Sequence, residues 1–337
     1  MNWSMFQSKL ISILFTTLCT VSCLAQNATS KQNLLLITSI QLPNVSGRID
    51  HLAFVPKNQT LFVAALGNNT IEVVDLKTKK VIHTIKGLHE PQGIKYISES
   101  NTIFVANGEN GECDIYDAYN YQLITSVMMP GGDADNVRYD STTGKIFVGY
   151  GNGGIAIIDA KTFKLLADIK LPGHPESFQL SDDSKNIYVN VPDAQMLGKI
   201  DLDKNLVTKK WKIEVAKANF QLAFDETNHR LFLGCRNPAN LLVINSDSGN
   251  IITQIDIDRD TDDVFYDNSA TQIYVSCGGG NVDVIKQNGS DKYEVTSRIE
   301  SRSGARTSLF VPELNQLLVA APARSGSDAQ LMVYEKR

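Results

Sequence analysis

Cysteine is scarce in this chain, with five among 337 residues, and two of them, Cys19 and Cys23, fall in an apolar N-terminal stretch. The other three, Cys113, Cys235 and Cys277, are an odd number with no CxxC spacing. Neither a disulfide framework nor a cysteine-based zinc or redox motif is implied. Cys235 and Cys277 stand at equivalent places in neighbouring repeats and read as small buried hydrophobes at strand ends. Cationic runs are missing too: no block of five or more basic residues occurs, and the net charge is −5. An acidic surface repels phosphate backbones, which disfavours non-specific nucleic-acid binding. The cluster Lys209, Lys210 and Lys212 reads as a solvated strand face. Beyond the N-terminus there is no long apolar run, hence no expected transmembrane span, and no stretch of helical period competes with strand alternation.

What the chain does have is a repeat. An aromatic or leucine stands at Phe54, Tyr96, Tyr139, Leu180, Phe224, Tyr266 and Phe310, at intervals of 42, 43, 41, 44, 42 and 44 residues. A second ring, Phe62, Phe104, Phe147, Tyr188, Phe232, Tyr274 and Leu318, follows eight positions later in every unit. The constant offset indicates a β-hairpin, because a one-residue slip would turn the hydrophobic set out of the core. Each unit divides into four short strands; in the first these are HLAFVP, LFVAAL, TIEVVDL and VIHTIKG, separated by polar turns. Asp75, Asp117, Asp159, Asp201 and Asn245 recur at the end of the third strand as turn formers.

The expected fold is therefore all-β: a seven-bladed β-propeller of four-stranded antiparallel blades. The last unit stops one strand short, and NLLLITSIQL (33–42) has no other partner, so the N-terminal strand is expected to close the last blade. Blades are placed at about 47–87, 88–130, 131–172, 173–215, 216–258, 259–301, and 302–337 with 33–43. The seven landmarks are expected to face one axis.

The first 25 residues differ from the rest. Lys9 precedes a mostly apolar run from Leu10 to Leu18, and Ala25 offers a small residue for cleavage before Gln26. Residues 1–25 read as a secretory signal, with 26–32 as a short linker. The rival reading lipidates Cys23, although Thr20 stands where such sites usually have leucine. Export follows from either reading, to a periplasm or outside the cell, and the chain is read as a monomer.

The stretches 61–96 and 146–180, such as LFVAALGNNTIEVVDLKTKK, resemble the YVTN β-propeller repeat found in YncE-like exported propellers. The likeness covers roughly 40–337 and implies a seven-bladed exported propeller. It carries little about activity, because one fold hosts many functions.

Positions just before the landmarks start the innermost strands and so gather at one channel mouth. Four residues upstream stand Asp50, Gln92, Asp135, Glu176, Phe220, Asp262 and Arg306; one step further are His51, Gly93, Asn136, Ser177, Gln221, Asp263 and Thr307. Nearby loops add Arg48, His174 and Asn219. Such charge is costly if desolvated and unpaired, so the mouth is expected to be wet, ion-paired or ligand-filled. The primary reading is a binding or scaffold protein whose mouth takes a small ligand, a cation or a protein partner. The alternative is a lactonase or lyase with a likeness to propeller lactonases. In that case Glu176, Asn219 and Asp262 are the candidate ligands for calcium or magnesium, with His51 or His174 as base.

Overall fold

A computed structural model describes residues 33–337; the expected signal segment 1–25, including Cys23, and the linker 26–32 lie outside the described residues. The 28 strands form seven separate four-stranded antiparallel sheets, each sheet one blade. Blade 1 is Leu52–Val55, Thr60–Ala65, Thr70–Asp75 and Lys80–Lys86. Blades 2 to 6 follow in chain order with the same up-and-down connection. The turns are those the sequence indicated: Asp75 Oδ1 accepts from the Lys77 amide at 2.8 Å, and Asp117 Oδ1 from the Tyr119 amide at 2.8 Å. The first strands of successive blades are neighbours all the way round, and that of blade 7, Thr307–Val311, meets that of blade 1. That cycle is the propeller ring.

Blade 7 is completed by the N-terminal strand Leu34–Gln41, which pairs antiparallel with the C-terminal strand Gln330–Lys336. The register runs from Leu34 opposite Lys336 to Gln41 opposite Gln330, with a bulge between Leu36 and Thr38. Leu34 and Ile40 enter the core while Leu36 faces solvent.

Burial is organised by seams. Seven hydrophobic clusters each join two neighbouring blades. The two aromatic rings meet there: Tyr188 of blade 4 packs on Phe224 of blade 5 with centroids 4.9 Å apart, Phe232 on Tyr266 at 5.3 Å, and Tyr274 on Phe310 at 5.1 Å. The landmarks thus differ from expectation. They lie between blades rather than pointing at the axis, because each needs an apolar partner and the preceding blade supplies it. The three cysteines are free and buried in the same seams, where burial pushes the Cys235 thiol up to about 12.

Two features fix blade 3 and the closing blade in place. A Cβ on Gly93 would lie 1.9 Å from the Asp135 carbonyl oxygen, so only glycine lets the first strands of blades 2 and 3 approach this closely. Lys336 Nζ reaches from the last strand to Asp267 Oδ2 of blade 6 at 2.8 Å. Burial works to raise the Asp267 carboxyl, but the Lys336 ammonium and the Ser269 hydroxyl outweigh it and hold it below its ordinary value.

Leu34→Ala is expected to lower unfolding free energy by about 2–5 kcal/mol, and Leu36→Ala to stay within about 0.5 kcal/mol, as read by urea denaturation. Lys336→Met is expected to cost about 1–2 kcal/mol at pH 7. A carboxylate with a lowered folded pKa stabilises above its unfolded value and loses that contribution as pH falls through the folded one. The gap between Lys336→Met and wild type should therefore close below about pH 4, the unperturbed carboxylate range.

Candidate functional site

The mouth is a cavity of about 380 Å³ at the starts of the first strands, lined almost wholly by charged and polar groups. Of the residues read from the sequence, Arg48, Gln92, Asp135, His174, Glu176, Asp262 and Arg306 line it together. Asp50, His51 and Asn136 line a narrow neck just inside, and Asp263 faces the channel beyond. Asn219 is the exception. It is fully buried, its amide donates to Asn190 Oδ1, and its carbonyl accepts from Asn190 Nδ2 at 2.7 Å. It lines neither the mouth nor its neck, so it does not join Glu176 and Asp262 there.

Asp262 is also committed, held by Arg236 Nη2 at 3.1 Å and Arg306 Nε at 3.0 Å. Arg306 Nη1 additionally pairs with Asp260 at 2.9 Å, and Arg48 Nη2 pairs with Asp50 at 2.6 Å. Arg236 lies over the Phe220 ring, 3.7 Å from its centroid, and donates Nε to the Thr261 carbonyl at 2.8 Å. The three arginines are thus matched to three aspartates on one side of the mouth.

The other side is unbalanced. There Asp133, Asp135 and Glu176 face a single weak base, His174. His174 Nε2 lies 3.0 Å from Asp135 Oδ2, and its Nδ1 lies 3.8 Å from Asp133 Oδ2. Burial disfavours the imidazolium, but the Asp135 hydrogen bond and the nearby carboxylates overcome it and push His174 up to about 9. Burial and the Asp135 charge push Glu176 up to about 7, against the opposing pull of His174. Ligand atoms of Asp135, His174 and Glu176 all lie within 4.8 Å of one another. Asn136 stands beside them, 2% exposed; its Nδ2 donates to the Glu176 carbonyl at 2.6 Å and its Oδ1 has no partner among the described residues.

The metal-competent group is therefore Asp135, His174 and Glu176, and two of the three residues the sequence suggested, Asn219 and Asp262, are engaged elsewhere. Sequence reasoning also missed Arg236. In the column four positions after the second aromatic ring, the blades read Leu66, Gly108, Gly151, Pro192, Arg236, Gly278 and Pro322. One arginine among small or apolar residues was the available signal.

No protein-family model matches the chain. A stretch of 146 residues is 26% identical to the protein YncE of Salmonella typhi, covering 42% of this chain and 40% of that protein. YncE of Salmonella typhimurium matches at 25% over the same length. The match thus spans about two-fifths of these relatives, and over that stretch the chain is similar to YncE. Among solved structures, a chain of Kuenenia stuttgartiensis hydrazine synthase superposes with a TM-score of 0.71 at 15% identity, covering 87% of this chain and 98% of that one. A chain of the mitotic checkpoint complex gives 0.76 at 12% identity, covering 98% and 99%. At such identities the likeness is one of fold. Among the described residues no helix is long and apolar enough to cross a membrane.

Asn190 also donates to the Phe220 carbonyl at 2.9 Å, so it holds the strand that carries the arginine platform. Asn190→Ala is expected to cost about 1–3 kcal/mol for each buried group it orphans, measured by chemical denaturation.

Proposed function

We propose that this propeller is an exported binding protein whose channel mouth captures a small cationic ligand, in the simplest case a divalent metal ion, at Asp135, His174 and Glu176. The observation that carries the reading is the convergence of those three ligand atoms within 4.8 Å, on the side of the mouth that its arginines do not neutralise. An imidazole among the donors favours zinc, manganese or nickel over the calcium or magnesium that an all-oxygen set would suit. The mouth volume is large enough for a small ligand to reach the ion.

Calorimetric titration of the full chain with zinc, manganese and calcium chlorides tests this. One saturable site for zinc or manganese is expected, weakened at least about tenfold by His174→Ala and by Glu176→Gln. Thermal midpoint should rise with the bound metal, since a ligand that binds only the folded state stabilises it. Absence of binding, or binding indifferent to both substitutions, would sink the proposal. The lactonase or lyase alternative uses the same mouth; metal-dependent lactone turnover lost in Glu176→Gln would put it in front.

A further inference from the structure

The channel behind the mouth has the opposite character. Side chains on a strand alternate, so the residue two positions after the ring of His51, Gly93, Asn136, Ser177, Gln221, Asp263 and Thr307 shares its face. In blades 2 and 3 those residues are Lys95 and Arg138. Both line an interior cavity of about 260 Å³. Lys95 is exposed within the channel, where it lines this cavity and the next.

Neither cation forms an ion pair among the described residues. Arg138 donates only to its neighbour's carbonyl, Val137 O, at 3.0 Å, and lies over the Phe178 ring at 5.4 Å. Burial, and then the adjacent Arg138, pull the Lys95 ammonium below its ordinary value, and burial lowers Arg138 as well. The carboxyl sharing this cavity, Asp263, accepts from the Ser308 amide at 2.6 Å. Burial pushes it up to about 7 despite His51, so near neutral pH it offsets only part of the positive charge; Glu313, at the far cavity with Lys95, opposes the fall of the Lys95 ammonium. A third donor points the same way: Gln221 is 6% exposed, its Oε1 accepts from Ser177 Oγ at 2.8 Å, and its Nε2 has no acceptor among the described residues.

This cavity continues into a second one of about 390 Å³ at the far end of the channel, the two sharing Leu52, Lys95 and Leu309. There the edges of Phe54, Tyr96, Tyr139 and Phe310 emerge from the seams. Paired cations at the inner end of an aromatic-rimmed pocket match an amphipathic anion. A singly charged head suits them better than a dianion, whose desolvation cost is greater.

We propose that the channel and its far mouth form a site for a small organic carboxylate, with the carboxylate between Lys95 and Arg138 and the apolar body against Phe54, Tyr96, Tyr139 and Phe310. The site is distinct from the mouth described above and does not depend on it.

The test is calorimetric titration of the full chain with 4-phenylbutyrate, with inorganic phosphate as the head-only probe. One saturable phenylbutyrate site is expected, weakened at least about tenfold by Lys95→Gln or Arg138→Gln and unchanged by Glu176→Gln, with phosphate binding at least about tenfold more weakly. Removing one of two neighbouring cations also relieves repulsion, so Lys95→Gln should melt at or above the wild-type temperature without ligand. A lower melting temperature would show that Lys95 already has a protein partner and would overturn the premise. No saturable binding up to about 10 mM, a range covering even weak ligands, would overturn the site. So would binding that survives both substitutions. Phosphate binding as tightly as phenylbutyrate would overturn the ligand class.

Discussion

Everything in this protein rests on aromatic packing across the seams. A blade of four short strands has two faces to cover and cannot cover either alone. The first-strand landmark of one blade and the second-strand aromatic of the blade before it solve this jointly, as Tyr188 with Phe224 and Tyr274 with Phe310 show. Each such pair adds about 0.5–1.5 kcal/mol beyond the area it buries. Because the contact links neighbours in sequence order, seven repetitions fix the order of blades around the ring. The channel, its mouth and its charges are consequences of that arrangement.

Two electrostatic environments share one axis. At the mouth, arginines and aspartates are matched on one side and carboxylates gather around His174 on the other. Deeper in, the charge reverses, with Lys95 and Arg138 facing a carboxyl, Asp263, that burial pushes up to about 7. First strands only a few residues long carry both, since alternation and strand direction place each side chain at its own depth.

The fold was legible because its signal is redundant: two hydrophobic columns, seven copies, one missing strand. The mouth was legible as a region but not as a set of contacts. First strands in blades 2, 3, 5 and 6 carry register shifts near the mouth, at Pro91/Ile94, Ala134/Val137, Asn219/Leu222 and Thr261/Asp263. A bulge puts one residue out of phase, so strict alternation fails where the chemistry lies. Asn219 illustrates it, turning inward to Asn190 rather than into the mouth. Arg236 was hidden for another reason: it arrives from a second strand, outside the columns being read. Lys95 and Arg138 lay within those columns, two positions past a ring already identified, and extending the alternation would have found them.

The pairing of Leu34 with Lys336 joins residues separated by almost the whole chain. During synthesis the first strand to emerge has no partner until the final strand is made, so its apolar side must wait uncovered while six blades assemble. Ring closure therefore waits for the C-terminal strand to be made. A chain that loses its C-terminal strand orphans its N-terminal one as well, whereas loss of the N-terminal strand removes only the outer edge of the closing blade.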